Sequence, residues 1–224
     1  MKLTGVLLVG LLAAAQVPSP TPSALESDAQ GWIDLLAARD LKEWTRVPLG
    51  AVGQLPAGQA GDPSPWRLDP ATGTLVCEGD KAGHEMLRYA PEFGDFVLHV
   101  EWRFSKLEGE RPYNGGVYVR TSADGAIWHQ AQTGPGGGYL FANTLVQGAP
   151  QRVNLREAMT ENRVKPAGEW NTYEVRAVAK SITLWVNRAI VNEYTECEVP
   201  RGYVGLEAEG YRIEFRNLRL KRLH

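Results

Sequence analysis

Nine consecutive residues, Phe96 to Phe104, read "FVLHVEWRF" and alternate without interruption. Phe96, Leu98, Val100, Trp102 and Phe104 are all apolar, whereas Val97, His99, Glu101 and Arg103 are mostly polar. A period of two puts the sets on opposite faces of a strand, so this segment is half-buried in a sheet. The same alternation returns in "GVYVRT", "IWHQAQ", "TYEVRAV", "SITLWVN" and "YVGLEAE". Between these runs stand the turn signals "SADG", "GPGGG", "VAKS", "VNR", "PRG" and "AEGY". No repeat with a fixed period is visible, which excludes solenoids and propellers. Ten or so strands without repeats predict an all-β chain: a two-sheet jelly-roll sandwich. Helical periodicity is weak, in "DAQGWIDLLAARDLKEW" and "NLREAMTE", and predicts short peripheral helices. In the last strand the apolar parity changes after Phe215, which predicts a bulge at Arg216 and Asn217.

The N-terminal end is of another kind. One lysine precedes an apolar run from Leu3 to Ala15, too short to span a membrane and ending in small residues, the pattern of a secretory signal peptide over 1–15. The expected location is therefore periplasmic or extracellular, with no membrane attachment after cleavage. Residues 16–30 contain "PSPTPS" and read as an exposed linker without packing of its own. The folded domain is expected over 31–224, a length that suits one sandwich. With 24 basic and 26 acidic residues and no basic run, the chain lacks the footprint of a nucleic-acid partner. The two cysteines, Cys77 and Cys197, are compatible with one disulfide or with two buried thiols, and their spacing does not decide.

Chemistry is expected on the hairpin from Asn114 to Gly134, "NGGVYVRTSADGAIWHQAQTG". Parity turns Val117, Val119, Ile127, His129 and Ala131 inward and Tyr118, Arg120, Trp128, Gln130 and Gln132 outward. A guanidinium fork, amides that donate and accept, and an indole face suit a polyhydroxylated ligand. Trp128 is the tryptophan expected to stack on it. Trp102 and Trp185 carry core parities, and Trp32, Trp44, Trp66 and Trp170 sit near element ends, where they seal the sandwich. His129, between Ile127 and Ala131, reads as an interior histidine. His99 and Glu101 share a strand face, but a metal site needs a third ligand and none is spaced to supply it, so no metal or other cofactor is expected. In "GLEAEG", Glu207 and Glu209 project from the same side of a strand, and paired acids can divide into acid and base roles. The motifs of serine hydrolases, phosphate-binding loops, dinucleotide folds and zinc proteases are absent.

Taken in order, "GWIDLL", "LKEWT", "WRLDPATGTLVCEG", "FGDFVLHVEWRF", "YNGGVYVR", "IWHQAQTG", "GEWNTYEVRAVAKSITLWVNRAIV" and "GYVGLEAEGYRIEFRNLRLKRL" resemble the 3-keto-disaccharide hydrolase domain family over nearly all of the mature chain. The resemblance implies a concanavalin A-like sandwich whose concave sheet carries a carbohydrate groove, with activity on saccharides already oxidised at C3. The chain departs from the family's common pattern at several positions. Asn-Ser-Gly is here Asn114, Gly115 and Gly116; Glu-x-Gln is Gln130 and Gln132; Gln-x-His is Glu207 and Glu209; and a hairpin Asn-Gly is Asn187 and Arg188.

A ketone at C3 acidifies the C2 proton, so elimination can break the glycosidic bond before water adds. That chemistry needs a base, a donor for the enolate oxygen and an acid for the leaving group. The expected assignment has Glu207 or Glu101 as base, Arg120 and Arg103 as donors and Glu209 as acid. Asn114, Gln130 and Gln132 would hold hydroxyls, and Tyr118 and Trp128 would contact the sugar. The expected partner is an oligosaccharide or glycoside. The competing expectation is a carbohydrate-binding module with the same groove and no turnover.

Overall fold

A computed structural model describes residues 20–50, 62–79, 83–105 and 113–223. The expected signal peptide lies outside the described residues. The alternating segments form strands β1 (Trp32–Asp34), β2 (Trp44–Pro48), β3 (Trp66–Asp69), β4 (Thr74–Glu78), β5 (Glu85–Tyr89), β6 (Phe96–Phe104), β7 (Gly115–Thr121) and β8 (Trp128–Thr133). They continue as β9 (Leu140–Val146), β10 (Ala149–Asn154), β11 (Asn171–Val178), β12 (Ser181–Val186), β13 (Ala189–Tyr194), β14 (Tyr203–Ala208) and β15 (Arg212–Arg222).

Two antiparallel sheets result. One runs β13-β12-β11-β6-β15-β4-β3, with β1 added beside β15; the other runs β10-β9-β8-β7-β14-β5-β2. The all-β jelly-roll sandwich read from alternation is the fold observed. Phe96, Leu98, Val100, Trp102 and Phe104 of β6 meet Val117, Val119, Ala131, Leu206 and Ala208 of the other sheet in one core cluster. Each large apolar side chain buried there is worth roughly 1.5–3 kcal/mol. The pairing of β15 with β6 shifts register between Arg216 and Arg219, with Asn217 at φ 47°, the predicted bulge. Asn187 and Arg188, at φ 42° and 80°, make the β12–β13 turn with both residues left-handed, as a two-residue hairpin of this hand requires. Cys77 and Cys197 are both buried, and no disulfide joins them.

Three expectations are corrected. The segment 28–44 is not a helix: it forms β1, a run of turns and the start of β2. Residues 20–30 are not an unpacked linker. A single helical turn, α1 (Ala24–Ser27), closed by a capping box between Ser23 and Glu26, docks on the outward face of the eight-stranded sheet. There the Ala24 and Leu25 N–H groups donate to the two oxygens of Glu174 at 2.6 and 3.1 Å. Trp185 is buried, but on that same outward face and outside the main core cluster; its Nε1 donates to the Thr21 carbonyl at 3.2 Å. Leu184 and Val186 take the inward positions on β12 instead. Among the described residues, no helix is long and apolar enough to cross a membrane.

Candidate functional site

The strand order β5-β14-β7-β8-β9-β10 lays one polar face across the outward side of the seven-stranded sheet. Its centre is Glu207 on β14, which is only 3% exposed. Three side chains from three other segments hold its carboxylate. Tyr118 Oη donates to Oε1 at 2.5 Å, His84 Nε2 lies 2.8 Å from the same oxygen, and Gln130 Nε2 donates to Oε2 at 2.5 Å. Gln130 reaches Glu207 by crossing over β7 at Gly116. A Cβ at Gly116 would stand 2.1 Å from Gln130 Nε2, so only glycine leaves the passage open. Two residues singled out as departures from the family pattern, Gln130 and Glu207, therefore form one hydrogen-bonded pair.

Glu209, two residues along β14's line, accepts from Asn114 Nδ2 at 2.7 Å. Burial and the neighbouring Glu207 carboxylate raise its pKa above the ordinary 4.5. The hydrogen bond to Glu207 raises that of His84 above 6.5. Desolvation, with Glu207 beside it, raises that of Tyr118 well above 10. The face thus holds a buried carboxylate with its hydrogen-bond partners already in place, beside a second acid and an imidazole whose protonated forms are favoured by their surroundings. One ligand atom from each of His84, Glu207 and Glu209 lies within 4.8 Å of the others, a donor set of one imidazole and two carboxylates suited to a divalent cation.

Apolar surface borders this cluster. Val47, Met86 and Tyr118 form a small second cluster with Leu49 and Trp128 against it. Trp128 meets Tyr118 and Phe141 edge-on, with centroids at 5.7 and 5.1 Å. The guanidinium of Arg152 lies over the Trp128 ring at 4.8 Å, which places a cation on the indole surface expected to carry sugar. Gln132 is buried, with its amide turned to the Thr133 carbonyl at 3.4 Å.

Three expected site residues lie elsewhere. Arg120 is fully buried, at φ 46°, and the β14–β7 pairing slips between Tyr203 and Gly205, so parity fails at that one position. Its guanidinium pairs with Asp95 at 3.0 Å and donates to the carbonyls of Gly94 and Ala179. Glu101 and Arg103 are on β6 and face outward from the opposite sheet. Glu101 accepts from Arg216 and Asn217, and Arg103 donates to Glu214. Two sheets therefore separate them from Glu207. His129 is interior, bonded to Thr144 at 2.7 Å, and burial pushes its pKa down to about 4.

The sequence model of the 3-keto-alpha-glucoside-1,2-lyase-like domain matches residues 31–221. The chain belongs to this family. No curated protein matches it in sequence. Among solved structures, this lyase-like domain is similar to a candidate glycosyl hydrolase from Parabacteroides distasonis ATCC 8503, with TM-score 0.60 and 15% identity over 92% of this chain and all of that one. It is similar to the carbohydrate binding module CBM66 from Bacillus subtilis, with TM-score 0.55 and 14% identity over 80% of this chain and 95% of that one. The Bacillus licheniformis beta-glucanase has TM-score 0.53 and 13% identity, over 88% of this chain and 100% of that one. At such identities the likeness is one of fold.

Sequence reasoning missed His84 and Arg152 in this lyase-like domain. His84 precedes β5 in a segment without periodicity, and β10 reads "APQRVN", with a proline and no alternation. Only the strand order, in which β5 adjoins β14 and β10 follows β9, brings them to the face.

Proposed function

We propose that the chain is an exported enzyme that cleaves glycosides bearing a ketone at C3, by elimination followed by hydration. The observation that carries this reading is the set of three hydrogen-bond partners around Glu207, beside a second acid, Glu209, whose pKa is raised by burial and by Glu207. In the elimination, Glu207 takes the proton from C2 and the electron pair moves toward the C3 oxygen, to which the Tyr118 hydroxyl or the His84 N–H turns as the newly protonated Glu207 becomes the weaker acceptor. The C1–oxygen bond then breaks and Glu209 protonates the departing oxygen. This leaves a free alcohol and a sugar unsaturated between C1 and C2, to which water adds. His84 and Tyr118 take over the donor role that the sequence assigned to Arg120 and Arg103. Gln130 holds the second Glu207 oxygen and so orients the base. Membership of the lyase-like family and the sandwich fold shared with carbohydrate-active proteins support a saccharide as the ligand.

The test is NMR detection of products after mixing the protein with a 3-keto-disaccharide and, separately, its unoxidised parent. Cleavage of the keto compound alone, with deuterium entering C2 in heavy water, is the expected result. Glu207→Gln should then lower kcat by about 10²–10⁴-fold, the usual contribution of a positioned proton carrier. Binding of either sugar without cleavage would instead identify a carbohydrate-binding module.

A further inference from the structure

Among the described residues, Arg152 is one of two arginines of this face that no carboxylate neutralises; the other, Arg88 of β5, donates to the Ala123 carbonyl and lies over the Tyr203 ring. Arg152 sits on the edge strand β10, opposite Asn143 of β9, which is in turn opposite Trp128 of β8, so the three side chains form one row across the sheet. The guanidinium lies 4.8 Å from the Trp128 centroid and 5.5 Å from that of Phe141. Its Nη1 is enclosed and has no hydrogen-bond acceptor. Among the described residues no Asp or Glu forms an ion pair with it. Arg103, Arg212 and Arg216, on the other sheet, each pair with a glutamate. Desolvation by its surroundings disfavours the charged form of Arg152.

A guanidinium held over one aromatic ring and beside another has lost part of its hydration and kept its charge. The missing partner is an anion, and the planar fork matches a carboxylate through two parallel hydrogen bonds. Position narrows the choice. Glu207 is on β14 and Trp128, beneath the guanidinium, is on β8, two strand spacings or roughly 10 Å away. That separation is comparable to the length of a disaccharide. The acids and Arg152 therefore lie at two ends of one short saccharide site.

We propose that Arg152 binds a carboxylate carried by the sugar next to the reacting ring, so that the ligands of this face are uronate-containing glycosides. The Trp128–Phe141 pair holds the guanidinium in place, and Arg152 fixes the direction in which the saccharide lies relative to Glu207. The inference rests on the reading of this face as a saccharide site but not on the elimination chemistry.

Titration calorimetry at low salt, with a glucuronosyl-glucose disaccharide and the neutral glucosyl-glucose of the same linkage, tests it. The uronate should bind about ten- to a hundred-fold tighter, the range set by a charge-assisted pair, and the preference should shrink as salt is added. Arg152→Gln should bring the affinity for the uronate down to that for the neutral sugar, so that the preference is lost. Arg152→Lys, which keeps charge and loses the fork, should retain only part of it. Equal affinities for the two sugars, a preference that survives Arg152→Gln, or no binding of either at millimolar concentration would overturn the proposal. A uronate preference in a protein that cleaves no keto sugar would leave it standing and would refute the elimination reading.

Discussion

Glu207 shows how much a single position depends on its neighbours. A carboxylate buried to this degree is tolerated because Tyr118, Gln130 and His84 each supply a donor. The arrangement gives His84 a pH signature with a definite sign. Its pKa is raised in the folded protein, so its contribution to stability is fully present below the unfolded value of 6.5 and is lost as the pH rises through the folded value. Melting temperatures across neutral pH should therefore show the largest deficit of His84→Gln relative to the parent below pH 6.5, closing toward alkaline pH. A deficit constant with pH would mean that the imidazole acts by packing alone. Gly116 offers a second handle at this scale. Its backbone is not left-handed, so alanine adds only bulk in the path of Gln130. Gly116→Ala should displace the amide from Glu207 and cut kcat at least tenfold while the melting temperature moves by only a few degrees, read by parallel kinetics and calorimetry.

At the scale of elements, alternation carried most of what was legible. It placed Tyr118, Trp128 and Gln130 on the same outward face, because each strand's period holds wherever the pairing is regular. It failed at Arg120, where one left-handed residue reverses parity and nothing in "VYVRTS" announces the slip. It also could not say which sheet a strand joins. The polar face of β6 is real, yet it looks away from Glu207 because β6 pairs with β11 and β15. The N-terminal segment was misread for a different reason. Proline and serine lower its intrinsic order, but a buried Glu174, shared with His99 at 2.8 Å, offers its backbone amides a charged acceptor. Removing residues through Ser27 should strip that carboxylate of two donors and uncover Trp185. The expected cost is about 2–4 kcal/mol, given the strength of hydrogen bonds to charged groups. For a domain of this size that corresponds to a melting temperature lower by roughly 4–16 °C. An unchanged melting curve would show that the docked turn contributes nothing to the fold.

For the molecule as a whole, the residue expected to act on substrate serves instead to join the two sheets. Arg120 leaves β7 in the seven-stranded sheet and bonds to the carbonyl of Ala179, in the turn between β11 and β12 of the other sheet. It also binds Gly94 and Asp95, just before β6. Asp95 in turn accepts from the Ala179 N–H at 3.0 Å, so one carboxylate and one guanidinium close that end of the sandwich around two loops. A fully buried guanidinium is held there by its partners, and truncation would leave carbonyls unpaired and a void beside Cys197. Arg120→Met, which keeps much of the volume, should therefore lower stability by about 3–5 kcal/mol, seen as a fall in the urea midpoint with little change in slope. The face around Glu207 is built by β5, β14, β7 and β8 through contacts that do not include the guanidinium. The folded fraction of Arg120→Met should consequently keep its kcat on a 3-keto-disaccharide within a few-fold, measured well below the melting transition. A large loss of kcat at full folding would put Arg120 back in the chemistry and would mean that the sandwich opens at that end during turnover.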